Sequence, residues 1–195
     1  MEKESYPVNP VHPVKLNLMK PEIISTESIY KGRIFDVSVD RIREGETEYS
    51  REIISHYGSA VIVPVFADQT VALVRQYRHA AGKYLWEIPA GSLEEGEDAK
   101  EGAARELEEE IGVTAQKLEK LCEFYVSPGF LSEKMYLFLA TELTETKQNL
   151  EADELIEVER FTFPQAFESI RQDGIEDAKT MLGLILAAQR FGFNF

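Results

Sequence analysis

The 195-residue chain is predicted to fold as an α+β protein, a mixed sheet between helices with a small antiparallel β appendage in front of it. Three observations predict this. Short apolar runs bounded by turn residues recur between residues 59 and 163 and read as strands. One acid-rich helical stretch interrupts them at 99–111, and two more helical patterns close the chain. The strands and helices do not alternate as regular βαβ repeats, which points to an α+β or mixed α/β sandwich.

Residues 1–21 carry Pro7, Pro10, Pro13 and Pro21, so neither a regular helix nor a central strand fits, and an extended arm is predicted. In 22–57 the pattern turns to β: Ile23 and Ile24, then Ile34, Val37, Val39 and Ile42, a turn at Glu44-Gly45-Glu46, then Tyr49, Ile53 and Ile54. This small sheet has little core of its own, so a second copy of the chain is expected to cover it as a homodimer. The main domain, 58–195, opens with an unbroken apolar run at 59–66, the mark of a strand buried on both faces. Ala67-Asp68-Gln69 turns the chain into a second strand at 70–77, and 84–88 forms a short strand running into Pro89-Ala90-Gly91. Strands follow at about 118–126, 134–141 and 156–163, then helices at 164–171 and 178–190 separated by Asp173-Gly174.

A 195-residue chain with 44% hydrophobic content can bury one good-sized core, with no room for a second catalytic domain. The net charge of −14 argues against a nucleic-acid binder or an anionic-membrane binder, both of which need basic stripes. Half of that charge is local, because residues 94–110 hold nine acidic side chains against Lys100 and Arg105. The lone cysteine, Cys122, is read as a buried strand residue; it excludes an intrachain disulfide framework and fits a reducing compartment. The first twenty residues lack an apolar run of signal-peptide length, and no span approaches 18 uninterrupted apolar residues. A cytoplasmic protein is expected.

The acidic stretch has a physical order. Asp98 followed by Glu101 reads as a capping box, and Gly112 reads as the residue that closes the helix. At about 100° per residue, Ala103, Ala104, Leu107 and Ile111 share one face, while Glu106, Glu109 and Glu110 fall within roughly a quarter turn on another. Glu101 and Glu108 point away from that arc and read as solvated charge. Carboxylates at i, i+3 and i+4 repel by a few tenths of a kcal/mol per pair, so something positive must offset them. Hard oxygen donors suit Mg²⁺ or Mn²⁺, whose coordination is commonly completed by water and substrate phosphate.

Gly91, Glu97, Arg105-Glu106-Leu107, Glu109-Glu110, Gly112 and Val113 fit the pattern G-x5-E-x7-R-E-U-x-E-E-x-G-U, with U a bulky aliphatic residue. The stretch resembles the Nudix box at every specified position. The resemblance covers about 59–163 and implies a Nudix-type mixed β-sheet sandwiched between helices. Pro128, fifteen positions after Val113, extends the similarity over about 22–190 to the ADP-ribose pyrophosphatases of that superfamily, a mark that GDP-mannose hydrolases share. The resemblance implies metal ligation by Glu106, Glu109, Glu110 and the backbone carbonyl of Ala90. Glu97 is then an outer-sphere ligand or a partner of Arg105. Arg105 carries two readings, a catalytic group and an ion-pair clamp between box loop and helix, and the clamp is preferred because a guanidinium bridges two carboxylates in a fixed geometry.

Phosphate contacts must be basic. Arg78 matches the arginine that similar enzymes place after the second core strand, and Arg51 matches one on the N-terminal sheet that is often donated across the dimer. Arg75 is weaker, since its strand position already explains it. For the nucleobase, Tyr30 and Phe35 are candidates by resemblance, and Trp86 is expected to pack under the box. A general base must come from outside the box glutamates. Glu154, in the acidic loop 151–154, matches the loop glutamate of similar ADP-ribose pyrophosphatases; Glu133 is the local rival, or binds the terminal ribose. The expected activity is Mg²⁺- or Mn²⁺-dependent hydrolysis of a nucleoside diphosphate sugar, ADP-ribose to AMP and ribose 5-phosphate. GDP-mannose is the alternative substrate, and a non-catalytic nucleotide-binding sensor is the alternative class.

Overall fold

The computed structural model describes residues 20–150 and 154–195. Most of the proline-containing arm and residues 151–153 of the acidic loop lie outside them. Three strands come first, β1 (Glu22–Lys31), β2 (Asp36–Glu44) and β3 (Thr47–Ser55), forming a separate antiparallel sheet in that order. The main domain follows as β4 (Ser59–Pro64), β5 (Thr70–Arg78), β6 (Lys83–Glu87), β7 (Ala90–Ser92), α1 (Ala99–Ile111), β8 (Val113–Tyr125), β9 (Lys134–Glu145), β10 (Ile156–Thr162), α2 (Phe163–Arg171) and α3 (Ala178–Arg190).

Two sheets build this domain. One is mixed, in the order β7-β4-β9-β8, with β4 and β9 parallel and its other pairs antiparallel. The other is antiparallel, β10-β5-β6. The period-two alternation of β4 explains the sandwich. Val61, Val63 and Val65 face a core shared with Phe163, Phe167, Leu184 and Ala187 of α2 and α3. Ala60 and Ile62 face a second core shared with Ala103 and Leu107 of α1. A strand covered on both faces has no polar side to show, which is why 59–66 reads as one apolar run.

The three helix spans agree with their sequence patterns to within a residue. Three strand details differ. Residues 90–92 form β7, which pairs with β4 (Val61 opposite Ala90), a pairing too short to leave a periodic signal. β8 begins at Val113, directly after the helix, because Gly112 closes α1 in the left-handed region at φ 66° and turns the chain straight into the sheet. Cys122 lies in β8 half-buried rather than buried. The N-terminal sheet attaches through the 127–132 loop: Ile54 N–H donates to Phe130 O (2.8 Å) and Ser132 N–H to Ile54 O (2.9 Å).

Candidate active site

α1 presents the acidic residues, and its own caps aim it. Asp98 accepts from the N–H groups of Lys100 (2.9 Å) and Glu101 (3.3 Å), satisfying donors that the first turn leaves open. Gly102, Ala103 and Leu107 are buried and Ile111 is half-buried, so they form the packed face; Ala104, assigned to that face by helix angle, is exposed. Glu101 and Glu108 are solvent-exposed. Glu106 and Glu110 retain only 8% and 3% of their surface, and Glu109 is half-buried.

Arg105 holds this group together. Its Nε and Nη2 donate to the two Glu97 oxygens, both at 3.1 Å, its Nη1 donates to Glu106 (2.6 Å) and Glu109 (3.0 Å), and Nη2 also reaches Ser92 O (3.3 Å). The hydrogen bonds to Glu97 are the largest cause of a guanidinium pKa raised above its ordinary value. Glu97 in turn accepts from Glu94 N–H (2.9 Å), so the clamp between box loop and helix is the observed geometry. A Cβ at Gly91 would overlap the Glu106 carboxyl, so glycine there lets that carboxyl keep its position.

Glu110 accepts a hydrogen bond from Ala90 N–H (3.1 Å). Burial, then the neighbouring Glu106 charge, pushes its carboxyl up to about 8. Burial likewise raises Glu106, although Arg105 offsets part of the effect. Glu154 adds repulsion to both. Buried carboxylates in this state are stabilised by a cation, and their hard oxygens fit a divalent metal of the Mg²⁺ or Mn²⁺ kind. As they stand, no three acidic or histidine side chains among the described residues are arranged around one metal position. Glu106 and Glu109 are turned onto Arg105, and Glu110 onto Ala90, whose N–H makes the observed contact.

Arg105, Glu106 and Glu109 line a cleft of about 680 Å³, with Glu110 buried behind them. Ala90, Gly91, Arg105, Glu106 and Glu109 form one wall, Gln76 and Arg78 another, and Glu154 reaches it from the acidic loop. The third wall comes from the N-terminal sheet and its exit, Arg33, Ile34, His56 and Tyr57. His56 is fixed in orientation: its Nδ1 accepts from Gly58 N–H (2.9 Å), which leaves Nε2 as the protonated nitrogen, 3.5 Å from Ser92 Oγ.

Arg78 and Glu154 therefore meet the box, as their sequence positions suggest. Arg51 and Glu133 do not line the cleft. Arg51 is exposed on β3, bonded to Ser50 O and stacked over the Tyr49 ring at 4.3 Å. Glu133 accepts from Ser59 Oγ at 2.6 Å. Phe35 borders a smaller adjoining cavity of about 220 Å³, whereas Tyr30 packs against Phe35 at 6.1 Å. Trp86 packs edge-on to Phe161 of β10, 5.2 Å between centroids. Arg33, His56, Tyr57 and Gln76 were not singled out from the sequence, and no motif marks them. The only signal for them was their position, at a turn, at a strand exit and on the cleft side of a strand.

Residues 56–182 match the NUDIX domain. The chain belongs to the Nudix hydrolase family. It is 38% identical over 165 residues to an ADP-ribose pyrophosphatase of Bacillus subtilis strain 168, covering 83% of this chain and 89% of that protein. It is 36% identical over 171 residues to a methanol dehydrogenase activator of Bacillus methanolicus, covering 86% and 92%. The fold superposes on the crystal structure of an ADP compounds hydrolase with a TM-score of 0.80 at 23% identity, covering 91% of this chain and 97% of that one.

Proposed function

We propose that this hydrolase cleaves the diphosphate of a nucleoside diphosphate sugar, with ADP-ribose as substrate and AMP and ribose 5-phosphate as products. One observation carries the reading: a single cleft gathers Glu106, Glu109 and Glu154 beside Arg78, with the buried Glu110 coupled to Glu106 and Glu154. A patch of four carboxylates repels a diphosphate unless cations intervene, so the arrangement suits a metal-bound anionic substrate. Glu106, Glu109 and Glu110, with the Ala90 backbone, would hold Mg²⁺ or Mn²⁺, which neutralises diphosphate charge and activates water when bound. Arg105 keeps Glu106 and Glu109 in place through its clamp. Arg78 binds a non-bridging diphosphate oxygen. Glu154 takes the proton of the attacking water; a new P–O bond forms as the bridging P–O bond breaks, and the departing phosphate leaves as an anion.

The nucleoside end lies toward Arg33, Ile34, His56 and Tyr57, the wall that lacks carboxylates. Arg51 is assigned to the cleft of a partner subunit, since β1 is exposed along its whole length and the sheet that carries Arg51 has an open face. Glu133, beside Ser59, is kept as a contact for the terminal ribose. A lone cysteine in 195 residues supports a cytoplasmic enzyme, and no described helix is long and apolar enough to cross a membrane.

The test is a panel of ADP-ribose, GDP-mannose and other nucleotide sugars with Mg²⁺ or Mn²⁺, products separated and ¹⁸O from labelled water located. ADP-ribose is expected to give the highest kcat/KM, with the label in AMP or ribose 5-phosphate alone. Preference for GDP-mannose would move the substrate to the alternative. Tight nucleotide binding without hydrolysis under every metal would make the chain a sensor.

A further inference from the structure

Behind Arg78 lie charged residues that the reaction above leaves unused. Glu87, at the end of β6, is 2% exposed. Its two oxygens accept from Arg78 Nε (2.6 Å) and Nη2 (2.8 Å), a bidentate pair. Lys179 of α3 reaches the same carboxylate and also pairs with Asp177 at 3.0 Å. Thr180, next along α3, accepts from Ile88 N–H (2.9 Å) and donates to Asp177 (2.5 Å), which stitches the start of the helix to the strand end that carries Glu87. We propose that Glu87, supported by Lys179, is a positioning residue that fixes the Arg78 guanidinium with its remaining edge toward the substrate diphosphate.

Stability alone does not account for the cluster, because replacing buried ion pairs by apolar side chains of similar volume is often neutral or stabilising. A role in orientation does. An unrestrained arginine in a cleft wall samples many rotamers, and a bidentate carboxylate fixes the plane of its fork. The same carboxylate alone would turn Arg78 into a neutral pair with little attraction for an anion. Lys179 takes up part of the Glu87 charge, so Arg78 keeps its pull on phosphate. The geometry fits: Arg78 is the member of the cluster that lines the cleft, on the same cleft as Glu106 and Glu109.

This inference rests on Arg78 as a diphosphate contact, and a double-mutant cycle separates the two claims. Steady-state kinetics with ADP-ribose and Mg²⁺, with Tm alongside, would compare Arg78→Ala, Glu87→Gln, their double variant and Lys179→Met. Glu87→Gln is expected to raise KM about tenfold with kcat within about threefold, and the double variant to be no worse than Arg78→Ala. Lys179→Met, which keeps the packed stem, is expected to raise KM severalfold, and it decides the matter where Glu87→Gln does not fold. Multiplicative losses in the double variant, or an unchanged KM in Glu87→Gln and Lys179→Met beside a raised KM in Arg78→Ala, would overturn the positioning role. An unchanged KM in Arg78→Ala would instead remove Arg78 from the substrate, and the inference with it.

Discussion

Glu110 and Glu108 sit two positions apart on one helix and meet opposite surroundings. Glu110 is buried against Ala90 and Glu106; Glu108 is open to water. Glu110→Gln removes a charge that the proposed metal site requires and little packing, so kcat is expected to fall by several orders of magnitude with Tm hardly lowered. Glu108→Gln changes kcat by less than about threefold, since it touches nothing in the cleft. Glu154→Gln is expected to cost roughly 10² to 10⁴ in kcat with metal affinity nearly unchanged, the range for removal of a general base. Glu133→Gln, on the Ser59 side, acts on KM more than on kcat. These variants share one assay, rates at saturating ADP-ribose across a Mg²⁺ titration. Equal losses in Glu108→Gln and Glu110→Gln would contradict the two-faced helix, and a Glu154→Gln rate within about threefold of wild type would move the base to another carboxylate.

At the scale of elements, the site depends on how closely β7 approaches α1. β7 is three residues long, paired to β4 on one side and pressed against Glu106 on the other. The atoms in the way of a Gly91 side chain are the end of a flexible glutamate rather than backbone, so the fold accommodates a methyl group by moving the Glu106 carboxyl. Gly91→Ala is therefore expected to lower kcat/KM by about a hundredfold or more while Tm falls only modestly, a separation that differential scanning fluorimetry and steady-state kinetics would read together. A large Tm loss matched by proportionate activity would show that Gly91 serves the fold instead. Helix geometry makes α1 legible in advance: a cap, a 3.6-residue period and a closing glycine are local signals. β7 has no period to show, and its existence depends on the β4 edge beside it.

For the whole molecule, the question is what covers the N-terminal sheet. Every residue of β1 is exposed, including Ile23 at 59% and Ile29 at 56%, and a three-stranded sheet with no fully buried side chain is marginal. A homodimer in which this sheet met its counterpart would bury those side chains and carry Arg51 toward the partner's cleft. Sedimentation equilibrium at micromolar concentration is expected to give twice the chain mass, and Arg51→Ala to raise KM without changing that mass. A fully active monomer would defeat both expectations.

The sequence by itself determined what is local or periodic. The cap at Asp98, the stop at Gly112, the acidic arc on α1 and the doubly buried β4 follow from spacing and hydrophobic pattern, because each depends on neighbours within a turn or a strand. Arg105 as a clamp was legible for the same reason, one helical turn from Glu109 and eight residues from Glu97. Only the tertiary structure decided which distant residues share the cleft. Arg33, His56 and Tyr57 arrive there because the N-terminal sheet docks on the 127–132 loop, and the Glu87–Lys179 pairing spans 92 residues. Such contacts arise when separate elements pack face to face. No spacing along the chain encodes them.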